Sequence, residues 1–204
     1  LRRQRQMCIR DSLLLLGAGV SMWTPFEKIS DISFFKDVMD TNYTGAVHCV
    51  HAALPYLISS KGMVVTCSTA QAIVGFTNHS GYAASKHALH GFFETLDMEL
   101  DGKVLFLEAF LGWIRGTNMR SNAFGPDGKK MGKTKRKHSK NSVDVDECTE
   151  RIFQAILDIK KAFFPINFLI SSKSLSSLTK DIAKILMPAF LEYFIAAISC
   201  LLYT

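Results

Sequence analysis

The stretch that most constrains this chain is Met63-Val64-Val65-Thr66-Cys67, a short apolar run closing on Ser68. Its length and composition predict a buried β-strand whose carboxyl end delivers a hydroxyl. A loop punctuated by Gly75, Asn78 and Gly81 follows, and a helix opens near Tyr82 and runs to about Leu100. Tyr82 and Lys86 stand at i and i+4, so both project from one helix face. A free tyrosine, with a pKa of about 10, is a poor acid or base at neutral pH. One cation about 6 Å away, at an effective dielectric near 20, favours tyrosinate by roughly 2.8 kcal/mol, or about two pKa units. A positively charged cofactor ring could supply the rest, and Ser68 could donate to the same substrate oxygen. A Tyr-x-x-x-Lys pair alone matches often by chance, as a plain first-turn tyrosine and a surface lysine. A strand-end serine fourteen residues upstream, with glycines between, turns the balance toward proton transfer.

The same segment, Ser68 followed by Tyr82-Ala-Ala-Ser-Lys86, resembles the active-site segment of the short-chain dehydrogenase/reductase superfamily. Other stretches carry the likeness at the right order and spacing over roughly residues 13–197. Met39–Leu57 resembles the family's fourth helix and places its asparagine at Asn42. Gly17-Ala18-Gly19 resembles the end of the N-N-A-G turn, and Leu111–Thr117 the segment after the sixth strand. Within the superfamily, Tyr82–Phe93 and Asp146–Ile156 look most like the hydroxysteroid-dehydrogenase type, especially the dehydrogenase/reductase member 7 group. The resemblance implies an α/β fold, a Rossmann-like doubly wound parallel sheet. It implies Asn42, Ser68, Tyr82 and Lys86 as catalytic residues, with Asn42 sustaining a water-borne proton relay from Lys86. For NAD or NADP it implies contacts from Ala18, Gly19, Tyr82, Lys86, Gly112, Ile114 and Thr117. Ile114 would meet the nicotinamide amide through its backbone, and Thr117 the phosphates. The implied reaction is hydride transfer between a nicotinamide and a lipophilic alcohol or ketone of steroid or retinoid kind. An endoplasmic reticulum membrane or cytoplasmic location, and a homodimer, would also accord with that family.

The chain departs from the family in several places, among them Thr117, which falls one position late. Leu16 and Gly17 replace the paired asparagines that tie the central strands together, and Leu111 replaces a proline. No G-x-G-x-x-G turn or equivalent precedes Gly17, so the sequence reads as the family's pattern without its amino-terminal βαβ portion. The expectation is a polypeptide that is poorly soluble, with an apolar edge at the Leu13 strand, and that does not bind dinucleotide as written.

Residues 13–180 read as the partial catalytic domain. Leu13–Leu16 is a buried parallel strand, Ser33–Ser59 one long helix with a stop or kink near Pro55, and Lys103–Phe110 a near-continuously apolar strand. Asp144–Lys160 is amphipathic, with Val145, Cys148, Ile152, Ala155, Ile156 and Ile159 at helical spacing. Ala162–Ile170 reads as a last strand, placed at an edge by Pro165. Residues 1–12, basic and without apolar periodicity, read as non-native or disordered. The tail, 181–204, is apolar, with only Lys184 and Glu192 charged from Ile182 to Tyr203. Pro188 and Glu192 favour a helix over the substrate cleft or in a membrane interface rather than a span.

Hydrophobic content of 48% and charged content of 21% exclude a disordered chain. Five cysteines without a C-x-x-C pair argue against a disulfide framework or zinc knuckle, leaving reduced, buried thiols. The net charge of +6 is modest. Its basic residues concentrate in the 120–142 segment, where Gly125–Lys140 is lysine-rich and free of aromatics. Without aromatics for base stacking, nucleic acid is disfavoured there. A solvated, flexible substrate-side loop comes first and membrane-surface contact second. A protein that docks on membranes through this loop and the tail, without catalysis, is the rival function. His48 and His51, like His87 and His90, stand three apart but suggest no third ligand, so no metal is assigned and they read as core-edge histidines.

Overall fold

In the computed structural model, which describes residues 13–133 and 140–162, the three apolar runs form one parallel sheet. Strands β1 (Leu13–Leu16), β2 (Met63–Thr69) and β3 (Leu105–Leu111) lie side by side in that order. Thr66 is paired with both Leu16 and Glu108. Parallel strands need crossovers, and here these are helical. The first comprises α1 (Phe34–Met39), a π-helical turn (Asp40–Thr44) and α2 (Gly45–Ser60), and the second is α3 (Ser80–Leu100). A last helix, α4 (Val145–Ala162), covers the opposite face.

Side-chain alternation along β2 puts apolar residues on both faces of the strand, because both faces are covered. Met63 and Val65, with Leu107 and Ala109 of β3, pack on Cys148, Ile152, Phe153 and Ile156 of α4. Val64, with Phe106 beside it, faces Val50 and Leu57 of α2 and Leu89 and Phe93 of α3. A third cluster joins Met22, Phe34, Val38, Tyr82 and Phe124 beneath the carboxyl edge of the sheet.

The predicted helix over Ser33–Ser59 is interrupted rather than uniform, by the π turn centred on Asn42. Pro55 neither stops nor ends α2, which continues to Ser60. His51 and Pro55 are both exposed, so water can take the carbonyl that the missing proline N–H leaves unbonded. Lys61 then ends α2 in the left-handed conformation (φ 49°), and the Gly62 N–H donates to Leu57 O at 2.7 Å.

The described part of the basic segment is fixed, not free. The Phe124 N–H donates to Ser21 O at 2.9 Å, and the Trp23 N–H donates to Phe124 O at 3.0 Å. A turn then returns the chain, with Gly125 N–H on Lys129 O and Met131 N–H on Ala123 O. Gly128 supplies the positive φ, 71°, that this reversal needs. A second ladder absent from the sequence reading, β4 (Ile114–Arg115) with β5 (Val143–Asp144), returns the chain to α4. Ala162, expected to open a last strand, instead ends α4; the rest of that expected strand, residues 163–170, lies outside the described residues, as do residues 1–12, the apolar tail and residues 134–139.

Candidate active site

Three elements converge at the carboxyl edge of the sheet, where a doubly wound fold exposes its ligand crevice. The turn after β1 brings Gly17 and Gly19, the end of β2 brings Ser68, and the first turns of α3 bring Tyr82 and Lys86. All five line one cavity of ≈ 270 Å³. Gly112, Ile114 and Thr117, from the segment after β3, line it as well. Ala18 does not line the cavity and is exposed.

Ser68 is 4% exposed, and its Oγ has no hydrogen-bond partner. A buried hydroxyl without a partner costs about 1–3 kcal/mol, so an oxygen or nitrogen entering the cavity meets a donor with nothing else to bond. Lys86 is buried, its Nζ lies 5.9 Å from the Tyr82 ring centroid, and it donates to Cys67 O at 3.1 Å. A Cβ on Gly19 would lie 3.5 Å from Asn42 Oδ1 and 3.9 Å from Lys86 Nζ, so glycine there leaves open the space over the ammonium.

Asn42 is brought to the back of the site rather than into the cavity. Its Oδ1 accepts from the Val20 N–H at 2.8 Å, and its Nδ2 donates to Val20 O and to Ser85 Oγ, each at 2.9 Å. Ser85 in turn donates to Tyr82 O at 2.8 Å. The π turn therefore clamps the segment after β1 to the helix that carries the tyrosine.

The electrostatics correct one expectation. Lys86 was expected to lower the pKa of Tyr82, but in the protein alone burial raises it, with Cys67 adding to the rise. The phenol is 7% exposed and has lost most of its hydration, which disfavours tyrosinate more than one desolvated cation favours it. Burial also lowers the pKa of Lys86, opposed by Cys67 and Glu108. These shifts have opposite consequences for stability. Above about pH 10 the unfolded chain releases the phenolic proton while the folded one keeps it, so stability falls as pH rises. Between the lowered lysine value and about 10.4 the unfolded chain holds a proton that folded Lys86 lacks, so that contribution to stability rises with pH. Tyr82→Phe is therefore expected to lessen the loss of thermal midpoint between about pH 9.5 and 11, measured beside the unchanged chain.

Aromatic residues that the sequence reading did not single out form one wall. Trp23 and Trp113 have ring centroids 5.8 Å apart, Phe76 meets Trp113 edge-on at 6.0 Å, and His79 lies 4.8 Å from Trp23 and 6.2 Å from Tyr82. Their common signal was position, in loops that leave the carboxyl ends of β1, β2 and β3.

The histidines and cysteines also differ from expectation. His48, His51 and His87 are exposed, because they lie on the outer faces of α2 and α3, and only His90 is half-buried. Cys49 is exposed too, whereas Cys67 is half-buried and Cys148 buried; all three are free thiols. Among the described residues no three His, Cys, Asp or Glu side chains gather as a metal site requires.

The family model for short chain dehydrogenases matches residues 10–126, more than half of the sequence. The chain belongs to the short chain dehydrogenase family. An "11-beta-hydroxysteroid dehydrogenase 1A" of Arabidopsis thaliana is 39% identical over 115 residues, 56% of this chain and 33% of the relative. The "Dehydrogenase/reductase SDR family member 7B" of Danio rerio is 34% identical over 132 residues, covering 64% and 42%. The likeness to the hydroxysteroid-dehydrogenase type and the member 7 group is thus met by named relatives. This short chain dehydrogenase spans between a third and a half of the length of those two relatives.

Among solved structures, a 3-oxoacyl (acyl-carrier-protein) reductase from Agrobacterium tumefaciens C58 with NADP bound matches 55% of this chain and 44% of its own, at a TM-score of 0.50 and 19% identity. That likeness bears on the fold, which is the Rossmann-like parallel sheet expected. Among the described residues no helix is long and apolar enough to cross a membrane.

Proposed function

We propose that this short chain dehydrogenase carries the catalytic half of an NAD- or NADP-dependent oxidoreductase that interconverts a lipophilic alcohol and its carbonyl compound. The observation that carries the reading is the convergence of Ser68, Tyr82 and Lys86 on one cavity, with the serine hydroxyl unpartnered. A nicotinamide dinucleotide bound there supplies or accepts the hydride.

The residues present fit the nicotinamide–ribose end of that cofactor. Gly19 leaves space over Lys86, whose ammonium would hold ribose hydroxyls, and the cavity reaches Gly112, Ile114 and Thr117. In carbonyl reduction Ser68 donates to the substrate oxygen and holds it against Tyr82. The phenol, kept protonated by burial, gives its proton to that oxygen as negative charge develops. In the reverse direction the tyrosine must first lose the proton, and a cation beside the ring eases that step.

A lipophilic substrate accords with the aromatic wall and with the exposed Ile73, Val74 and Phe76 on the loop after β2, which supplies part of that wall. The steroid-directed names of the relatives point the same way. A site of action at the endoplasmic reticulum membrane belongs to the same reading, with the exposed loop toward lipid.

The test is Ser68→Ala in the full-length protein. Removing one donor to the developing oxyanion is expected to lower kcat about 10²-fold while dinucleotide affinity holds. Unchanged turnover in that variant would sink the assignment.

A further inference from the structure

A second set of polar groups runs down the interface between α3 and the sheet, away from the cavity. Lys86, His90 and Glu94 stand at i, i+4 and i+8 on one stripe of α3, each about 6 Å below the last. Beneath the stripe lies the face of the sheet that carries Thr66 and Glu108, which are paired in register. Lys86 Nζ bonds to Cys67 O, one residue from Thr66 and so about 3.3 Å along the strand.

Glu108 is 7% exposed, at the centre of a strand, where a carboxylate is costly unless paired. One of its oxygens, Oε2, lies 2.6 Å from His90 Nδ1. The other, Oε1, has no partner, and neither does Thr66 Oγ1, although both are buried. Thr66, Glu108 and Glu94 line a void of ≈ 20 Å³, whose other walls include Phe93, Asp97 and Phe106. A water needs about 10–15 Å³ of such space and two to four polar partners, and this void offers both. At the outer end, His90 Nε2 lies 3.6 Å from Glu94 Oε1, on a side chain that is 52% exposed.

We propose that Thr66 and Glu108 hold one internal water, and that this water, Glu108 and His90 form a hydrogen-bonded chain, opening to solvent beside Glu94, that passes protons between the lysine side of the site and solvent. The route is distinct from the one expected through Asn42, whose polar atoms are committed to Val20 and Ser85. The transfer starts with one proton on Glu108 Oε2 and one on His90 Nε2. The water gives a proton to Oε1, the Oε2 proton moves to Nδ1, and the imidazole releases its Nε2 proton toward Glu94 and bulk water. Rotation of the carboxyl group and exchange of the imidazole tautomer then restore the chain. When ionised, Glu108 also opposes the fall in the Lys86 pKa.

The proton-carrying role rests on the oxidoreductase reading, whereas the water does not, so the test has two arms. In a crystal structure of the full-length protein at about 1.8 Å or better, density for one water within hydrogen-bond distance of Thr66 Oγ1 and Glu108 Oε1 is expected, water being the normal partner of such groups. An empty void, or a direct Thr66–Glu108 bond that closes it, overturns the water. For the relay, His90→Ala is expected to slow turnover several-fold and to recover with millimolar imidazole but not with sodium chloride of equal ionic strength. Turnover equal to wild type, or a loss that imidazole does not restore at unchanged thermal midpoint, overturns the relay. Absence of turnover in the wild-type protein would instead count against the oxidoreductase reading, and the crystallographic arm would still decide the water.

Discussion

Tyr82→Phe should abolish nearly all carbonyl reduction in the full-length protein, lowering kcat by about 10²–10⁴-fold, the usual contribution of a positioned general acid. The substitution deletes one oxygen from a ring that is 7% exposed and held in the cluster of Met22, Phe34, Val38 and Phe124. Packing is retained, so dinucleotide affinity and thermal midpoint at neutral pH should change little. Loss of turnover together with loss of folding would assign the phenol a structural part. Retained turnover would remove the acid from Tyr82 altogether. The expected split, chemistry lost and binding kept, is measured by steady-state kinetics beside cofactor titration.

The second large effect is on stability. Asn42→Ala should destabilise the fold by about 3–5 kcal/mol, because three hydrogen bonds from one buried side chain are lost at once. Their partners are the N–H and C=O of Val20 and the hydroxyl of Ser85, and Asn42 itself is 1% exposed. The Ser85 hydroxyl keeps its bond to Tyr82 O, so the loss falls mainly on the two Val20 backbone groups, at about 1–3 kcal/mol for each left unpaired. Against a total of about 5–15 kcal/mol, such a loss brings the domain close to unfolding under ordinary conditions. Urea denaturation measures it. A change under about 1 kcal/mol would mean that the π turn relaxes to rebuild the bonds, and that the asparagine is not the clamp.

Much of this was legible because it is local. The limits of the Leu13–Leu16 strand and the end of α3 at Leu100 follow from apolar runs bounded by glycine or by polar residues. The convergence of Ser68 with Tyr82 and Lys86 followed from strand–loop–helix order, since consecutive elements of a parallel sheet leave their ends on one edge. What escaped the sequence depends on distant partners. The two-residue strands at Ile114 and Val143 are too short to carry a period. The turn around Gly125–Lys129 is anchored through Phe124 to Ser21 and Trp23 and through Pro126 to Ser30, about a hundred residues away in the chain, so a basic composition suggested freedom where there is anchorage. The direction of the Tyr82 shift was misjudged for the same reason: the spacing to Lys86 can be read from a helix, but how thoroughly the fold dries the ring cannot.

The aromatic wall has a practical side. The chain holds only two tryptophans, and Trp23 and Trp113 both line the cavity with rings 5.8 Å apart. Its ultraviolet emission is therefore a gauge built into the crevice itself. Anything that enters displaces solvent from both indoles, and its arrival can be followed optically without a label, a cofactor or a reaction.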